Sequence, residues 1–296
     1  MKQLPLILNP HAGRGAVREA DALRTAFAAA GTNAEVQVVE GPRIQEVVRS
    51  MARAGAPVVA VAGGDGTISS AVNALAGQRT ALLPVPLGTL NHFAGRYGVP
   101  TVAAAVHAYQ RSSPHDVPIG FLDDVAFINN ASCGFYPHVV RSRDSMERVL
   151  PRPVAFWIAG LVMLARMPLM RLELALDNHS KQLLTPALWV GLGRDSLRLP
   201  RPGDAVHEGD VLEIVTPTTQ RRGAIVALMM RTLVKLKRGA HTPEDRALDV
   251  FHAASFTLDS PHRIDVGLDG EAYRLRPPLH FRFERRGVKV LCLVAP

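Results

Sequence analysis

The stretch AVAGGDGT, residues 60–67, joins an apolar run to a glycine turn. The run that ends at Ala62 has the composition of a buried strand, and apolar residues then recur at three- and four-residue spacing from Ile68 to Leu75. That spacing predicts a helix, so the stretch is interpreted as strand, turn and helix.

Three glycines surround Asp65 in this turn. Glycines leave the backbone N–H groups unshielded, and the start of the predicted helix adds a positive dipole end, so the turn favours a phosphate group. A carboxylate alone would repel phosphate, and Asp65 therefore fits the site if a Mg²⁺ ion lies between the two. The alternative from the local sequence is an ordinary βα turn in which Asp65 caps its own helix.

Two further glycine turns follow predicted strands. Residues 9–15 (NPHAGRG) come after an apolar strand at residues 4–8, and residues 86–94 (PLGTLNHFA) come after one at residues 80–85. Alternating strands and helices over about the first 110 residues predict a parallel sheet covered on both faces. The carboxyl ends of such strands meet at one edge, so we expect the three turns to lie together and to bind phosphate.

Neither of the two common phosphate-loop motifs is present in the first turn. No Gly-Lys-Ser/Thr sequence follows it, and Arg18 occupies the position of the third glycine in the dinucleotide-binding fingerprint. Arg14 is a candidate phosphate ligand, and a solvated loop arginine is the alternative.

The second part of the chain has a different pattern. After Tyr109, short apolar strands alternate with turn residues, which predicts a mainly antiparallel, sandwich-like β domain. Helices are predicted at residues 153–167, where the central segment is apolar on every side, and at residues 222–237, where apolar residues lie on one side. We expect an α/β nucleotide-binding domain at residues 1–114 and a β-rich domain at residues 115–296, whose last strand could return to the first domain.

The composition limits the classes of molecule that the protein is expected to bind. The chain has 296 residues, a formal net charge of +8 and only 5% aromatic residues. This charge favours nucleotides or an anionic membrane surface, while the scarcity of base-stacking aromatics argues against nucleic acid. Cys133 and Cys292 are expected to be reduced core residues, which suits the cytoplasm. The apolar stretch at residues 153–165 is too short to span a bilayer, so we expect a soluble or peripheral protein.

A candidate general base lies near the C-terminus. Residues 264–271 alternate apolar and polar side chains and include the pair Asp269-Gly270, which predicts a β-hairpin turn. The local sequence alone indicates a hairpin turn and no functional role. A bound nucleotide triphosphate, however, requires a base to accept the proton of an acceptor hydroxyl, and Glu271 follows the turn directly.

Taken together, these motifs resemble the diacylglycerol kinase catalytic family, specifically bacterial lipid kinases that include sphingosine-kinase-like and phosphatidylglycerol-kinase-like members. The resemblance extends over nearly the whole chain. Its motifs are Asn9-Pro10 with Gly13, Gly63-Gly64-Asp65-Gly66-Thr67, Pro86-Leu87-Gly88-Thr89 with Asn91, Phe93 and Ala94, Asp116, and Asp269-Gly270-Glu271. The Gly-Gly-Asp-Gly-Thr sequence alone is shared with NAD kinases and phosphofructokinases, whereas the ordered set is specific.

The resemblance implies that ATP lies in a cleft between the two domains. By that likeness, the nucleotide-binding residues are Asn9, Pro10, Gly13, Arg14, Gly63, Gly64, Asp65, Gly66, Thr67, Gly88, Thr89 and Asn91. Asp65 and Asp116 would hold Mg²⁺, and Glu271 would be the general base. Glu208 stands where the family has an aspartate at a second metal site, which leaves that site open. His92 replaces a common aspartate, and the part played by Asp269 is undecided.

The sequence thus predicts an ATP-dependent lipid kinase that transfers the γ-phosphoryl group to a lipid hydroxyl. The alternatives are an NAD kinase and a non-catalytic regulator of the same fold that binds a nucleotide or a lipid. The expected partners are ATP, Mg²⁺ and a lipid at a membrane surface, with peripheral contact at the inner face, and a homodimer is left open.

Overall fold

The structure is a computed structural model that describes residues 2–12, 15–134, 169–176, 179–194, 208–218 and 248–294. The first part of the chain alternates strands and helices. Its elements are β1 (Lys2–Leu8), α1 (Ala16–Ala29), β2 (Thr32–Val38), α2 (Gly41–Arg53), β3 (Val58–Gly63), α3 (Asp65–Leu75), β4 (Ala81–Pro86), α4 (His92–Arg96) and α5 (Val102–Arg111).

Strands β1 to β4 form a parallel sheet in the order β2-β1-β3-β4. Alternate residues of β3 face opposite sides of this sheet. Val59 and Val61 pack with α2 and α3, while Ala60 and Ala62 pack with α1 and α5. Because helices cover both faces, the strand is apolar throughout instead of alternating, as parallel strands usually are.

The second part of the chain is built from antiparallel strands. Its elements are β5 (Pro114–Leu122), β6 (Val125–Phe127), β7 (Asn130–Gly134), β8 (Met170–Leu176), β9 (His179–Thr185), β10 (Ala187–Arg194), β11 (Glu208–Pro217), β12 (Leu248–Ala253), β13 (Ser255–Asp259), β14 (Ile264–Leu268), β15 (Glu271–Leu275) and β16 (Leu279–Leu291). One sheet has the order β12-β11-β10-β7-β14-β15, and β16, β13, β8 and β9 extend the parallel sheet beyond β4.

A sandwich core lies between these two sheets. Leu172, Phe256 and Phe281 of the extended sheet pack in one buried cluster with Val190 and Ile214 of the other. The fold class predicted from the sequence, a parallel α/β part followed by an antiparallel β-rich part, is confirmed.

The long strand β16 connects the two parts. Its end pairs in parallel with the start of β4 through Lys289 and Val290, and the same strand pairs antiparallel with β5 and β13. The final long strand therefore belongs to the sheet that begins in the first part. The domain division at residue 114 stays a prediction.

Some predicted segments fall outside the described residues. These include the two helices predicted at residues 153–167 and 222–237. No helix among the described residues combines the length and the apolar character needed to cross a membrane. The short helix α4 was not predicted, because it begins inside the glycine turn that follows β4.

Candidate active site

The three glycine turns meet at the carboxyl edge of the parallel strands. After β1, the backbone N–H of Asn9 donates to the carbonyl of Ala62 at 3.1 Å, and the Asn9 side-chain amide donates to the Thr67 hydroxyl at 2.8 Å. After β4, the N–H of Leu87 donates to the carbonyl of Gly63 at 3.0 Å. The backbones of the first and third turns are therefore both anchored to the second.

Two glycines in these turns are required by packing. A Cβ atom on Gly63 would lie 2.5 Å from Cβ of Thr67, and one on Gly88 would lie 2.6 Å from Cα of Gly64. A side chain at Gly88 would push the second and third turns apart, whereas one at Gly63 would clash within its own turn. Gly66 differs, because a Cβ atom on it would meet nothing within 4 Å.

The start of α3 is open to a ligand. Its N-cap is Gly64, and no side chain caps the helix. The first-turn N–H groups of a helix have no partner within the helix, so they are donors for an anion. The alternative in which Asp65 caps its own helix is wrong, since Asp65 is the first residue inside α3.

The Asp65 carboxylate caps a different helix, α4. Its two oxygens accept the backbone N–H groups of His92 and Phe93, each at 3.1 Å. Asn91, the residue before α4, has a left-handed φ of 51° and bonds through its side-chain amide to both backbone groups of Gly88. Asp65 is thus fixed in place, and the third turn is fixed with it.

The remaining predicted residues of these turns are less constrained. Thr89 and His92 are exposed, and Pro10 is half-buried in the first turn. Gly13 and Arg14 lie outside the described residues.

Glu271 opens onto a cleft that also reaches α3. It is an exposed residue at the start of β15, and the Tyr273 hydroxyl donates to one of its carboxylate oxygens at 2.8 Å. The cleft has a volume of about 190 Å³, and its lining includes Gly66, Ser69, Glu271 and Tyr273. Glu271 and the open start of α3 therefore share one cleft. Sequence reasoning missed Tyr273, for which the available signal was its position two residues after Glu271, on the same side of a strand.

Asp269 lies at the centre of a hydrogen-bond network. One carboxylate oxygen accepts the Ser69 hydroxyl and the N–H of Ile128, both at 2.8 Å. The other accepts the N–H groups of Asn129 at 2.8 Å and Asn130 at 3.2 Å. Burial raises the pKa of this carboxyl above its ordinary value, and the four hydrogen bonds act in the opposite direction.

Burial and the neighbouring Glu271 carboxylate raise the pKa of Tyr273 to about 12. The dominant cause is the loss of water around the phenol, followed by its hydrogen bond to Glu271. The hydroxyl therefore stays protonated, as a donor to Glu271, throughout the neutral pH range.

The structure does not bring Asp116 to Asp65. Asp116 pairs across the sheet with Lys289, which is level with Ala81 at the start of β4, and its carboxylate lies 2.8 Å from the Lys289 ammonium. The glycine turns lie at the other end of β4, five residues or roughly 16 Å away at the rise of a strand. Asp116 is therefore at the amino edge of the parallel strands, engaged in an ion pair.

No group of three His, Cys, Asp or Glu side chains in the described part of the chain is arranged to hold a metal ion. Glu208 is the first residue of β11, and its backbone lies opposite Arg194 of β10. Nearby Asp210 forms an ion pair with Arg285 at 3.0 Å. The second metal site, which the sequence left open, gains no support from these residues.

The fold and the cleft together define a class of protein, in which a parallel α/β domain with glycine turns at its carboxyl edge is joined to an antiparallel β sandwich with an acidic hairpin. Within that class, residues 3–122 match the family model described as the diacylglycerol kinase catalytic domain. These residues are similar to that catalytic domain, and the resemblance predicted from the motifs is confirmed.

Proteins similar to the whole chain bear the same name. A diacylglycerol kinase of Staphylococcus haemolyticus (strain JCSC1435) is 26% identical over 264 residues, which cover 88% of this chain and 78% of that protein. A diacylglycerol kinase of Staphylococcus aureus (strain Newman) is 25% identical over 238 residues, covering 79% and 73%.

Solved structures share the fold. The crystal structure of a diacylglycerol kinase from Bacillus anthracis str. Sterne has a TM-score of 0.68 at 18% sequence identity, and the match covers 98% of this chain and 97% of that one. A second crystal structure from the same organism has a TM-score of 0.74, also at 18% identity. At this identity, the likeness supports the arrangement of both parts of the chain and nothing further.

Proposed function

We propose that this protein is an ATP-dependent lipid kinase, which transfers the γ-phosphoryl group of ATP to a lipid hydroxyl. The catalytic-domain family and the names of the similar proteins support this reaction class. The single observation that carries the proposal is that Glu271 and the uncapped start of α3 line one cleft. A base and a phosphate-binding helix end are the two groups that this reaction requires close together.

The proposed phosphate site consists of the three glycine turns, and it meets the cleft at Gly66, which belongs to the cleft lining. The N–H groups at the start of α3 would bind phosphate oxygens, and Gly66 leaves the approach to them open. Asn9, Thr67, Gly88 and Asn91 hold the turns in register through the hydrogen bonds described above. Pro10, Gly13, Arg14 and Thr89 are proposed nucleotide contacts on the strength of the family motif.

The residues present fit a Mg²⁺ ion that is shared with the nucleotide. Proteins commonly hold Mg²⁺ through one or two carboxylates together with substrate phosphates and water, so a closed protein cage is not needed. Asp65 would be the carboxylate, because each of its oxygens accepts only one N–H group and retains a lone pair. Bound there, the ion would neutralise charge that develops on the phosphate oxygens.

Glu271 is the proposed general base. As the acceptor oxygen forms its bond to the γ-phosphorus and the bond to the leaving ADP oxygen breaks, the hydroxyl proton passes to the Glu271 carboxylate. The Tyr273 hydroxyl donates a hydrogen bond to one oxygen of that carboxylate, and this bond orients the second oxygen. Most of the rate enhancement then comes from positioning and charge neutralisation, since phosphoryl transfer needs little covalent help.

The lipid acceptor implies work at a membrane surface. We propose peripheral contact with the inner face of the cytoplasmic membrane, supported by the net charge of +8, which attracts the protein to anionic headgroups. The question of a homodimer is left open, as it was by the sequence.

The test is phosphorylation of a total lipid extract by the purified protein with labelled ATP and Mg²⁺, followed by mass spectrometry of the products. We expect label in a lipid phosphate ester, and none when the variant Glu271→Gln is used. Reactions with NAD as the acceptor run in parallel. Label in NADP would favour an NAD kinase, whereas ATP binding without transfer to any acceptor would favour a regulator; either result overturns the proposal.

A further inference from the structure

We propose that Asp269 is a positioning residue that sets the distance between Glu271 and the glycine turns. The inference rests on the proposed role of Glu271 as the base. Among the described residues, the Glu271 side chain forms a hydrogen bond with Tyr273, which lies on the same strand. In the described part of the chain, the Glu271 side chain thus makes no direct contact with the glycine turns, and other residues must hold its hairpin close to them.

The first tie runs from Asp269 to α3. Asp269 lies in the turn between β14 and β15, two residues before Glu271, and its carboxylate accepts the Ser69 hydroxyl at 2.8 Å. Ser69 is one helical turn after Asp65. The hairpin that carries the base is thus bonded to the helix whose start would bind phosphate, across 200 residues of sequence.

The second tie runs from Asp269 to α4. Arg96, the last residue of α4, donates to the carbonyl of Ile128 at 3.3 Å, and the N–H of Ile128 donates to Asp269 at 2.8 Å. The other end of α4 is capped by the Asp65 carboxylate. A continuous path of contacts therefore joins Asp65 to Asp269, in addition to the path through Ser69.

The turn geometry argues that the carboxylate, and not the turn alone, is needed. Asp269 has a left-handed φ of 48°, a conformation in which glycine is the unstrained choice. An aspartate in a hairpin turn ordinarily faces water. The carboxylate of Asp269 instead accepts four hydrogen bonds, two on each oxygen. Each of those donors comes from outside the hairpin: Ser69, Ile128, Asn129 and Asn130.

Loss of the hydrogen bonds to Asp269 would let Glu271 move relative to the glycine turns. A displacement of about 1 Å between reacting groups costs on the order of 100-fold in rate. Losing the ties should therefore lower kcat while leaving the KM for ATP unchanged, because the phosphate-binding turns have their own contacts.

The experiment compares three variants with the wild-type protein. Asp269→Asn places an amide N–H group against backbone N–H donors, and we expect kcat to fall about 100-fold. Ser69→Ala removes one tie, with an expected fall of about tenfold, and Ser69→Thr keeps the hydroxyl and should stay within about threefold. In a Glu271→Gln background, Ser69→Ala should cause no further loss, since the group being positioned is gone.

The matched control is Asp123→Asn. Asp123 also has a left-handed φ, of 50°, in a hairpin turn, and its carboxylate accepts the N–H of His280 at 3.0 Å. It makes no hydrogen bond to α3 or α4 among those described. We expect its kcat to stay within about twofold of wild type.

A second readout does not depend on any activity. Hydrogen exchange of the amides of Ile128, Asn129 and Asn130 should speed up in Asp269→Asn, and in Ser69→Ala to a smaller degree, but not in Asp123→Asn. Unchanged exchange in Asp269→Asn would show that the Asp269 carboxylate does not hold these backbone N–H groups, whether or not the protein phosphorylates a lipid. Faster exchange with an unchanged kcat, in a protein that is active and depends on Glu271, would overturn the positioning role while leaving the proposed function intact.

Discussion

The two walls of the cleft are assembled in different ways. On the α/β wall, the contacts that shape the site join strand–turn–helix units whose strands are neighbours in the parallel sheet, as when Asn9 bonds to Thr67 and Asp65 caps α4. On the β wall, Glu271 reaches its place through Asp269, which meets Ser69 from 200 residues away. The wall proposed to bind phosphate is a product of the parallel sheet itself, whereas the position of the proposed base depends on how the two parts of the chain dock.

The two acidic residues differ in the same way. Both oxygens of Asp65 accept backbone N–H groups, so this side chain has a structural role in addition to any chemistry. Glu271 is exposed and bonds to a neighbouring tyrosine hydroxyl. Removing each charge should therefore have equal effects on turnover and unequal effects on stability.

The largest expected effects are those of Asp65→Asn and Glu271→Gln. Each should lower kcat by about 10³-fold, because one removes the carboxylate for the cation and the other removes the base. Asp65→Asn should also leave one N–H group of α4 without an acceptor, at a cost of about 1 kcal/mol or a Tm lower by about 2–4 °C. Initial rates with saturating ATP and thermal unfolding of the same samples measure both quantities.

Retained binding of ATP by Glu271→Gln is the control that separates lost chemistry from lost folding. Near-normal turnover in Glu271→Gln would remove it as the base. An equal fall of Tm in both variants would mean that the two carboxylates are not used in different ways.

Next in size is the contrast between two glycines on the α/β wall. Gly88→Ala would place Cβ 2.6 Å from Cα of Gly64, so the turns must separate, at a cost of about 1–3 kcal/mol. Gly66→Ala has open space and should leave stability unchanged, yet weaken ATP binding, because the methyl group projects from the open start of α3. Denaturant unfolding and ATP titration of the pair distinguish packing from ligand access. Equal stability of both variants would contradict this division.

Local sequence patterns were sufficient for much of the α/β wall. The apolar run before Gly63 and the spacing after it predicted β3 and α3, and the rule for parallel strands predicted that the three turns share an edge. The cap of α4 was not predictable in this way, because its acceptor, Asp65, lies 27 residues before the helix. No periodicity reveals a contact of that kind.

The β wall was harder to predict for a related reason. The pair Asp269-Gly270 predicted a hairpin turn, but the partners of Asp269 come from α3 and from the β6–β7 connection. The position of Asp116 depends on the register between β5 and β16, two strands that are far apart in the sequence. Family resemblance named these residues without supplying the register that places them.

A smaller effect is expected for Asp116→Asn. Its carboxylate forms an ion pair with Lys289, and because both side chains are more than one-third exposed, the pair should contribute less than about 1 kcal/mol. We expect kcat within about threefold of wild type, since Asp116 lies at the edge of the sheet opposite the glycine turns. Lys289→Gln is the control for the ion pair. A loss of turnover as large as that of Asp65→Asn would show that Asp116 acts at the phosphate site after all.

The smallest effect concerns Tyr273 and alkaline pH. Its pKa is about 10 in the unfolded chain and is raised to about 12 in the folded protein, so between these values the unfolded state loses a proton that the folded state keeps. The folded state binds more protons in that window, and stability must therefore fall as pH rises from 10 to 12.

Because the Tyr273 side chain is only half-buried, its contribution should be small, roughly 1–2 °C in Tm. Tyr273→Phe should show a shallower decline over this window, and Glu271→Gln an intermediate one, because the Glu271 carboxylate is one cause of the raised pKa. Identical pH dependence in all three proteins would mean that the Tyr273 hydroxyl does not hold Glu271, and the proposed base would then lose the contact that orients it within its own hairpin.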